Sequence, residues 1–430
     1  MEEQTILKVL REQQLEVEQY RSEAWCSRRE ESLFLLDSNL AQVVTGVRRS
    51  GKSTLCHKVL LQNHIVYAYA NMDDDRLYGF RTEDFDTLLG CIYQLYGSTV
   101  DYLFFDEIQN IDGWYLFANR LLRQGKHLII TGSNAKLLSG ELATHLTGRY
   151  NEIKLYPFSF AEYCEYYRVD TFDITSQAEA DRKVAFTNYL NEGGFPEISN
   201  LPNSNIRKMY VESLIETIIL KDISKRFNIR NTEAIRRIAN HLINNTGQTI
   251  SYETLAEIAG LKSLKTAQLY VSYLSQAFLI HRIQKFSFKS AERIRGEKCY
   301  VTDTGFIANR ENNLLGNNFG WLLENVVFVE LLRRYRSETE DIYYYKPTSR
   351  SKEVDFVVCR QNIVTKLIQV AYRIDDKKTY KREIESLVNA AKAINCSDLT
   401  LLSFSKNENI SVEGFDVRIR AVTEWLLKQR

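Results

Sequence analysis

Residues 46–53 read GVRRSGKS, two glycines five positions apart followed by a lysine and a hydroxyl side chain. Those residue types at that spacing suit the cradling of a polyphosphate. Gly46 and Gly51 lack a Cβ, so the loop can turn sharply and aim successive backbone N–H groups at phosphate oxygens. The flanks have the grammar such a loop needs: QVVT before it reads as a strand, and TLCHKVLLQ after it as a helix whose N-terminal dipole end favours the same anion. On this reading Gly46, Val47, Arg48, Arg49, Ser50, Gly51, Lys52, Ser53 and Thr54 line a nucleotide. Lys52 reaches its β- and γ-phosphates, and Ser53 ligates Mg²⁺.

A second chemical signal lies in VDYLFFDEIQN, residues 100–110. Four bulky residues, Tyr102 to Phe105, suit a strand buried on both faces, as central parallel strands are. They deliver Asp106 and Glu107 to its carboxyl end, where ligands of open α/β sheets bind. Asp106 completes the Mg²⁺ shell, and Glu107 serves as general base toward the attacking water. A later strand, HLIITGSN, ends in polar residues, so Asn134 or Ser133 is a candidate to orient that water. The alternative for them is the N-cap of the helix AKLLSGELATHL. Arg149 lies just ahead of the strand YNEIKLY. It can supply transition-state charge to a neighbouring subunit's nucleotide or close an intramolecular ion pair.

These residues need a scaffold, and the chain is long enough to hold several. A length of 430 residues suggests about three domains at roughly 150 residues each. A hydrophobic content of 44% with 26% charged residues describes an ordinary globular protein with ample core. No apolar run reaches the length of a membrane span and the N-terminus has no signal-like apolar region, which points to a cytoplasmic protein without a membrane partner. Seven scattered cysteines, never in C-x-x-C spacing, read as reduced thiols.

Residues 1–37 read as a helical segment, 38–157 as the nucleotide domain and 158–230 as a helical lid or connector whose Gly193-Gly194-Phe195-Pro196 turn reverses the chain. Residues 231–298 change character: a helix ending near Gly247, a short helix capped by Ser251 and closed by Gly260, a longer third helix, then a hairpin. That is the order of a winged helix-turn-helix. Its third helix carries Lys262, Lys265, Thr266 and Gln268 toward a major groove, with Arg282, Lys285 and Lys289 on the wing. Between positions 221 and 300 there are 14 Lys/Arg against 6 Asp/Glu, a balance of +8 on a chain of net charge +1. Such a stretch suits an anionic partner such as double-stranded DNA, while packing within an oligomer is the competing use.

Residues 299–430 form a last α/β unit, read as a strand and turn, a helix carrying Glu324 and Glu330, three strands, a helix, a strand and a final helix. A helix Glu, a strand Asp (Asp355) and a Q-x-A on the next strand resemble the restriction-endonuclease-like nuclease fold. There the third motif is E-x-K, and metal-assisted water attack follows. Here Gln369 and Ala371 stand in those places, so a nuclease built on Glu324, Asp355 and Gln369 lacks its water-activating lysine.

The order of phosphate loop, strand-end Asp-Glu, polar strand end and Gly-Arg before a strand resembles the AAA+ class of ATPases. More narrowly, GVRRSGKST, FFDEIQN, ITGSNAKLLSGELATHLTGRY and LYPFSFAEY are similar to bacterial and archaeal ATPases of the AAA_14 type fused to a C-terminal domain of unknown function of the DUF4143 kind. The resemblance covers nearly the whole chain. It implies a parallel P-loop sheet followed by a helical region and an α/β domain, with ATP as the nucleotide and Mg²⁺-dependent hydrolysis as the reaction. The expected function is an ATP-driven switch or remodeller, coupled to DNA through the winged helix or assembled as a homo-oligomer or with a protein partner. An ATP-gated nuclease and a slow ATP-sensing scaffold in a regulatory or defence complex are the alternatives.

Overall fold

The computed structural model describes residues 1–21, 25–134, 146, 148–288, 296–310, 318–335, 340–348, 351–361 and 363–428. Lys289 and most of the segment AKLLSGELATHL lie outside them. The chain divides into two compact units, 1–156 with 276–278, and 157–275 with 279–430.

The first unit is a five-stranded parallel sheet in the order β2-β3-β4-β1-β5. Its strands are β1 (Ala41–Thr45), β2 (Tyr67–Asn71), β3 (Tyr102–Asp106), β4 (His127–Gly132) and β5 (Tyr150–Lys154). All five residues of β1 and the last four of β3 are buried, the run expected of strands covered on both faces. Period-two alternation sends neighbouring side chains to opposite layers. Val43 and Phe105 join one cluster with α1 (Glu3–Tyr20), α3 (Phe85–Tyr96) and α4 (Trp114–Arg123). Val44 and Phe104 join another with α2 (Lys52–Gln62).

Helix α1 buries Ile6, Val9, Leu10, Gln13 and Val17, one stripe at three- and four-residue spacing. Gln13 donates from Nε2 to the Asn71 carbonyl at 3.2 Å and accepts the Asn71 N–H at 3.0 Å. Its amide thereby satisfies backbone groups at the exposed edge of β2. The N-terminal helix is part of the nucleotide unit's own core.

The second unit begins with helices Phe160–Tyr166, Ser176–Glu192 and Ser204–Thr217. The Gly193-Gly194 turn, expected to be a plain reversal, is clamped. Gly194 N–H and Gly305 N–H each donate to the Asp303 carboxylate at 2.8 Å. Gly193 has φ +82°, and a Cβ there would lie 1.9 Å from Asp303 Oδ1.

Helices Thr232–Asn244, Tyr252–Ile258 and Leu264–Gln276 follow, then the antiparallel pair β6 (Ile280–Lys285) and β7 (Glu297–Val301). Ser251 caps the second of these helices by accepting the Thr254 N–H at 3.2 Å. The hairpin expected after the third helix is joined to a larger sheet. β6 pairs in parallel with β8 (Glu340–Tyr345), making the hairpin one end of an eight-stranded sheet in the order β12-β13-β11-β10-β9-β8-β6-β7. The expected boundary at 298/299 therefore falls inside β7.

The remaining strands are β9 (Val354–Arg360), β10 (Ile363–Ala371), β11 (Leu399–Ser403), β12 (Glu408–Val412) and β13 (Phe415–Ala421). The hairpin β12–β13, absent from the sequence reading, precedes the final helix Val422–Leu427. Its strands are half-exposed and carry scattered charges, so their alternation is faint in sequence.

Candidate functional site

The sheet order sets the site. β4 lies between β1 and β3, so the loops leaving β1 and β3 flank the end of β4 at the carboxyl rim. Gly46 leaves β1 with φ +154°, and a Cβ on it would lie 2.1 Å from the Leu155 carbonyl oxygen. Arg49 (φ 68°) and Gly51 (φ +90°) turn the loop into α2. Arg28 Nη2 donates to the Tyr156 carbonyl at 2.6 Å and its Nη1 to the Ser50 carbonyl at 3.4 Å, bracing the loop from the N-terminal segment.

Lys52 is buried, its ammonium donating to the Gly46 and Val47 carbonyls at 3.1 and 3.2 Å. The same nitrogen stands 3.9 Å from Glu107 Oε1. Asp106 is held from two sides, Tyr69 O–H donating to Oδ2 at 3.1 Å and Thr131 O–H donating to Oδ1, and the nearby Ser53 hydroxyl also favours its ionised form. Burial and the neighbouring Glu107 charge raise the Asp106 pKa, while the hydroxyl bonds and Lys52 pull it back. Glu107 N–H donates to Thr131 Oγ1 at 3.0 Å, and Gln109 Nε2 donates to its carboxylate.

The expected lysine, hydroxyl and two carboxylates thus meet at one rim. Ser53 and Asp106, close enough for the hydroxyl to favour the ionised carboxylate, offer hard oxygens of the kind that suit Mg²⁺. Thr131 and Tyr69 were not singled out from sequence. Thr131 carried a signal as a polar residue ending an apolar strand. Tyr69 carried none, since an aromatic in a strand reads as core.

Asn134 and Ser133 are buried just past β4. Arg149 is exposed, donates from Nη1 to Asn119 Oδ1 at 2.9 Å, and precedes β5. In a parallel sheet that is the amino rim, opposite the phosphate loop of its own chain.

In the second unit Glu324 and Asp355 share surroundings with two residues not expected from sequence, Lys298 of β7 and Glu353. Lys298 is buried, lies 3.6 Å from Glu324 Oε1, contacts Glu353 Oε1 and sits 5.3 Å from the centre of the Tyr344 ring. Burial pushes its pKa down, and the charges of Glu324, Glu353 and Asp355 overcome that and hold it above its usual value. Tyr300 O–H donates to Glu324 at 2.7 Å, and Val370 N–H to Asp355 at 2.8 Å. Burial and the Glu324 charge raise the Asp355 pKa well above its usual value. Gln369 turns away, donating to Glu383 at 2.9 Å. Glu330 pairs with Arg334 at 2.7 Å and Arg333 at 3.5 Å instead. Among the described residues no group of three or more His, Cys, Asp or Glu has metal-holding geometry.

Lys262, Lys265 and Gln268 are exposed at the start of the helix Leu264–Gln276, with Thr266 partly covered. On the hairpin, Arg282 pairs with Glu297 at 3.3 Å and Lys285 donates to the Pro347 carbonyl at 3.4 Å. Among the described residues no helix is long and apolar enough to cross a membrane.

The parallel sheet with its glycine-rich loop after β1 and acidic pair after β3 defines a P-loop ATPase-like α/β domain. A family profile described as an AAA domain matches residues 38–164, and profiles of two domains of unknown function, DUF8612 and DUF4143, match 183–316 and 319–417. An uncharacterised protein of Methanocaldococcus jannaschii is 32% identical over 401 residues, covering 90% of this chain and 88% of that one. Another, from Haemophilus influenzae, is 29% identical over 408 residues, 91% and 95% of the two chains. The chain belongs to this family of AAA-domain proteins with a C-terminal DUF4143 domain. Among solved structures, a Walker-type ATPase of Pyrococcus abyssi aligns at 15% identity and TM-score 0.42, over 66% of this chain and 95% of that one. The replication initiator DnaA of Aquifex aeolicus, in an AMPPCP-bound structure, aligns at 15% identity and TM-score 0.29, over 57% and 85%.

Proposed function

We propose that the first unit binds ATP with Mg²⁺ and hydrolyses it, and that the chain works as a nucleotide-driven switch or remodeller. One observation carries this reading: Lys52, Ser53, Asp106 and Glu107, drawn from two distant stretches, converge at the carboxyl rim with Lys52 Nζ 3.9 Å from Glu107 Oε1. Lys52 exchanges two backbone carbonyls for phosphate oxygens, and Glu107 accepts the proton of the attacking water. Ser53 and Asp106 would hold Mg²⁺, which when bound would neutralise phosphate charge. Tyr69 and Thr131 fix the Asp106 carboxylate in one orientation.

Coupling to duplex DNA runs through the exposed Lys262, Lys265 and Gln268 on this reading, while Arg282 is already paired and contributes less. The C-terminal domain acts as a scaffold. Lys298, in place among Glu324, Glu353 and Asp355, supports that role over metal-dependent cleavage, because an ammonium already answers the carboxylate charge.

The test is steady-state ATP hydrolysis with and without duplex DNA at two salt concentrations. Stimulation by DNA that fades with salt is the expected result, since phosphate contacts release counterions. Turnover indifferent to DNA would transfer the coupling role to a protein partner.

A further inference from the structure

The ATPase reading uses Arg48 only through its backbone. Arg48 is the third residue of the phosphate loop, and its Nη1 lies 3.6 Å from Asp73 Oδ2, with the Arg48 side chain 17% exposed. Asp73 follows β2 by two residues, and its Oδ1 accepts from the Asn110 side-chain amide at 3.2 Å. Asn110 comes three residues after Glu107, and Met72 N–H donates to the Asp106 carbonyl at 2.9 Å. The guanidinium thus reaches from the loop after β1 to the loops after β2 and β3, along the rim that holds Lys52, Asp106 and Glu107.

The Asp73 carboxylate that faces Arg48 is one-third exposed, so this pair is screened by solvent and can be exchanged for a ligand's oxygens. A terminal phosphate carries more charge and accepts the planar fork of a guanidinium through two oxygens. The other arginine suggested by sequence, Arg149, lies at the opposite rim. Five strand residues at about 3.3 Å each, roughly 16 Å, separate the two ends of β5. Unlike Arg149, then, Arg48 stands at the rim that holds Lys52, Asp106 and Glu107 of its own chain.

We propose that Arg48 is a catalytic residue acting in cis, binding the γ-phosphate and stabilising the charge of the transition state, with Asp73 holding it in the nucleotide-free chain. This rests on the ATPase reading above. In the step it serves, the water oxygen bonds to the γ-phosphorus and the water proton passes to Glu107. The bond to the bridging oxygen breaks, leaving its electron pair on ADP. Arg48 donates hydrogen bonds throughout and transfers no proton.

The experiment compares full-length wild type, Arg48→Ala and Arg48→Lys at low protein concentration. Three quantities are read: binding of a fluorescent ATP analogue and of the matching ADP analogue, steady-state turnover, and trapping of that ADP analogue by aluminium fluoride as a transition-state mimic. Expected for Arg48→Ala are near-normal binding of both nucleotides, a turnover loss on the order of 10³-fold, and failure to trap ADP with aluminium fluoride. Added guanidinium ion restores part of that turnover. Arg48→Lys stays well below wild type because an ammonium lacks the fork. Intact trapping and turnover in Arg48→Ala would overturn the proposal, as would parallel loss of ADP binding and turnover, the mark of a loop-shaping role. A wild type that neither binds nor hydrolyses ATP fails the ATPase reading itself, a result distinguishable because it appears before any substitution.

Discussion

Lys52 and Lys298 are both buried lysines facing carboxylates, one in each unit, and their surroundings differ in one respect. The Lys52 ammonium is bonded to the neutral Gly46 and Val47 carbonyls and stands 3.9 Å from Glu107. Lys298 touches Glu353, lies 3.6 Å from Glu324 and sits over the Tyr344 ring. Carbonyl dipoles hold a cation loosely enough for phosphate oxygens to replace them. Direct carboxylate contacts in a dry setting do not release it, because either partner left alone would be a buried unpaired charge. On the proposed reading a lysine beside acids binds ligand in one unit and holds structure in the other, and the first-neighbour chemistry decides which.

The sharpest way to break this contrast is at Lys52 and Glu107. Lys52→Ala should abolish ATP affinity, whereas Glu107→Gln should bind ATP normally and lose turnover by about 10²–10⁴-fold. Equilibrium binding of a fluorescent ATP analogue together with phosphate release measures both. Equal binding loss in the two variants would sink the roles assigned to them.

The matching change in the second unit acts on stability. Lys298→Met leaves Glu324 with the Tyr300 hydroxyl and Glu353 with Lys346 at 3.7 Å but without the buried ammonium, and should destabilise that unit by about 3 kcal/mol, read as lost amide protection in β7 to β9. Adding Glu353→Gln should recover part of it. Nucleotide binding by the first unit stays unchanged. An unaltered exchange pattern in Lys298→Met would show that the lysine is not committed to its carboxylates.

A smaller effect concerns pH, with opposite signs in the two units. His57, stacked on Tyr20 at 4.5 Å and bonded to Tyr67 O–H at 2.8 Å, has its pKa lowered by burial to about 3. Its contribution is full above the unfolded value of 6.5 and is lost as pH falls toward 3. Asp303 is raised by burial to about 6 from 3.8, so its contribution is full below 3.8 and is lost as pH rises through 6. Acidifying from about pH 7 to 5 should therefore weaken the first unit and strengthen the second, each by on the order of 1–2 kcal/mol from these groups. Amide exchange at the two pH values checks this. His57→Phe and Asp303→Asn should each flatten the slope in their own unit, and a slope that survives its substitution removes that assignment.

Much of the first unit was legible because its signals are local. The phosphate loop is one contiguous run whose glycines meet a backbone requirement, confirmed at Gly46 by the Leu155 carbonyl 2.1 Å from a would-be Cβ. The apolar run ending in Asp106-Glu107 marks a buried strand and its terminus together. What escaped reading depends on distant pairing: Tyr69 on the Asp106 carboxylate, Thr131 between Asp106 and Glu107, and Lys298 from β7 among acids of a later helix and strand. The expected boundary at 298/299 falls inside β7 for the same reason. β6 and β7 have the local grammar of a hairpin, and only the pairing of Gln284 and Lys285 with Tyr343 and Tyr344 makes them part of a larger sheet.

By itself the sequence determined which side chains could carry phosphate chemistry and at which strand ends they would appear, because loop conformation and burial period are set by neighbouring residues. Tertiary structure alone decided which charges meet. It placed β4 between β1 and β3, left Arg149 on the far rim, turned Gln369 toward Glu383 and set a lysine among the C-terminal acids. Electrostatic roles depend on separations of a few ångströms across elements far apart in the chain, and spacing along the chain does not encode those distances.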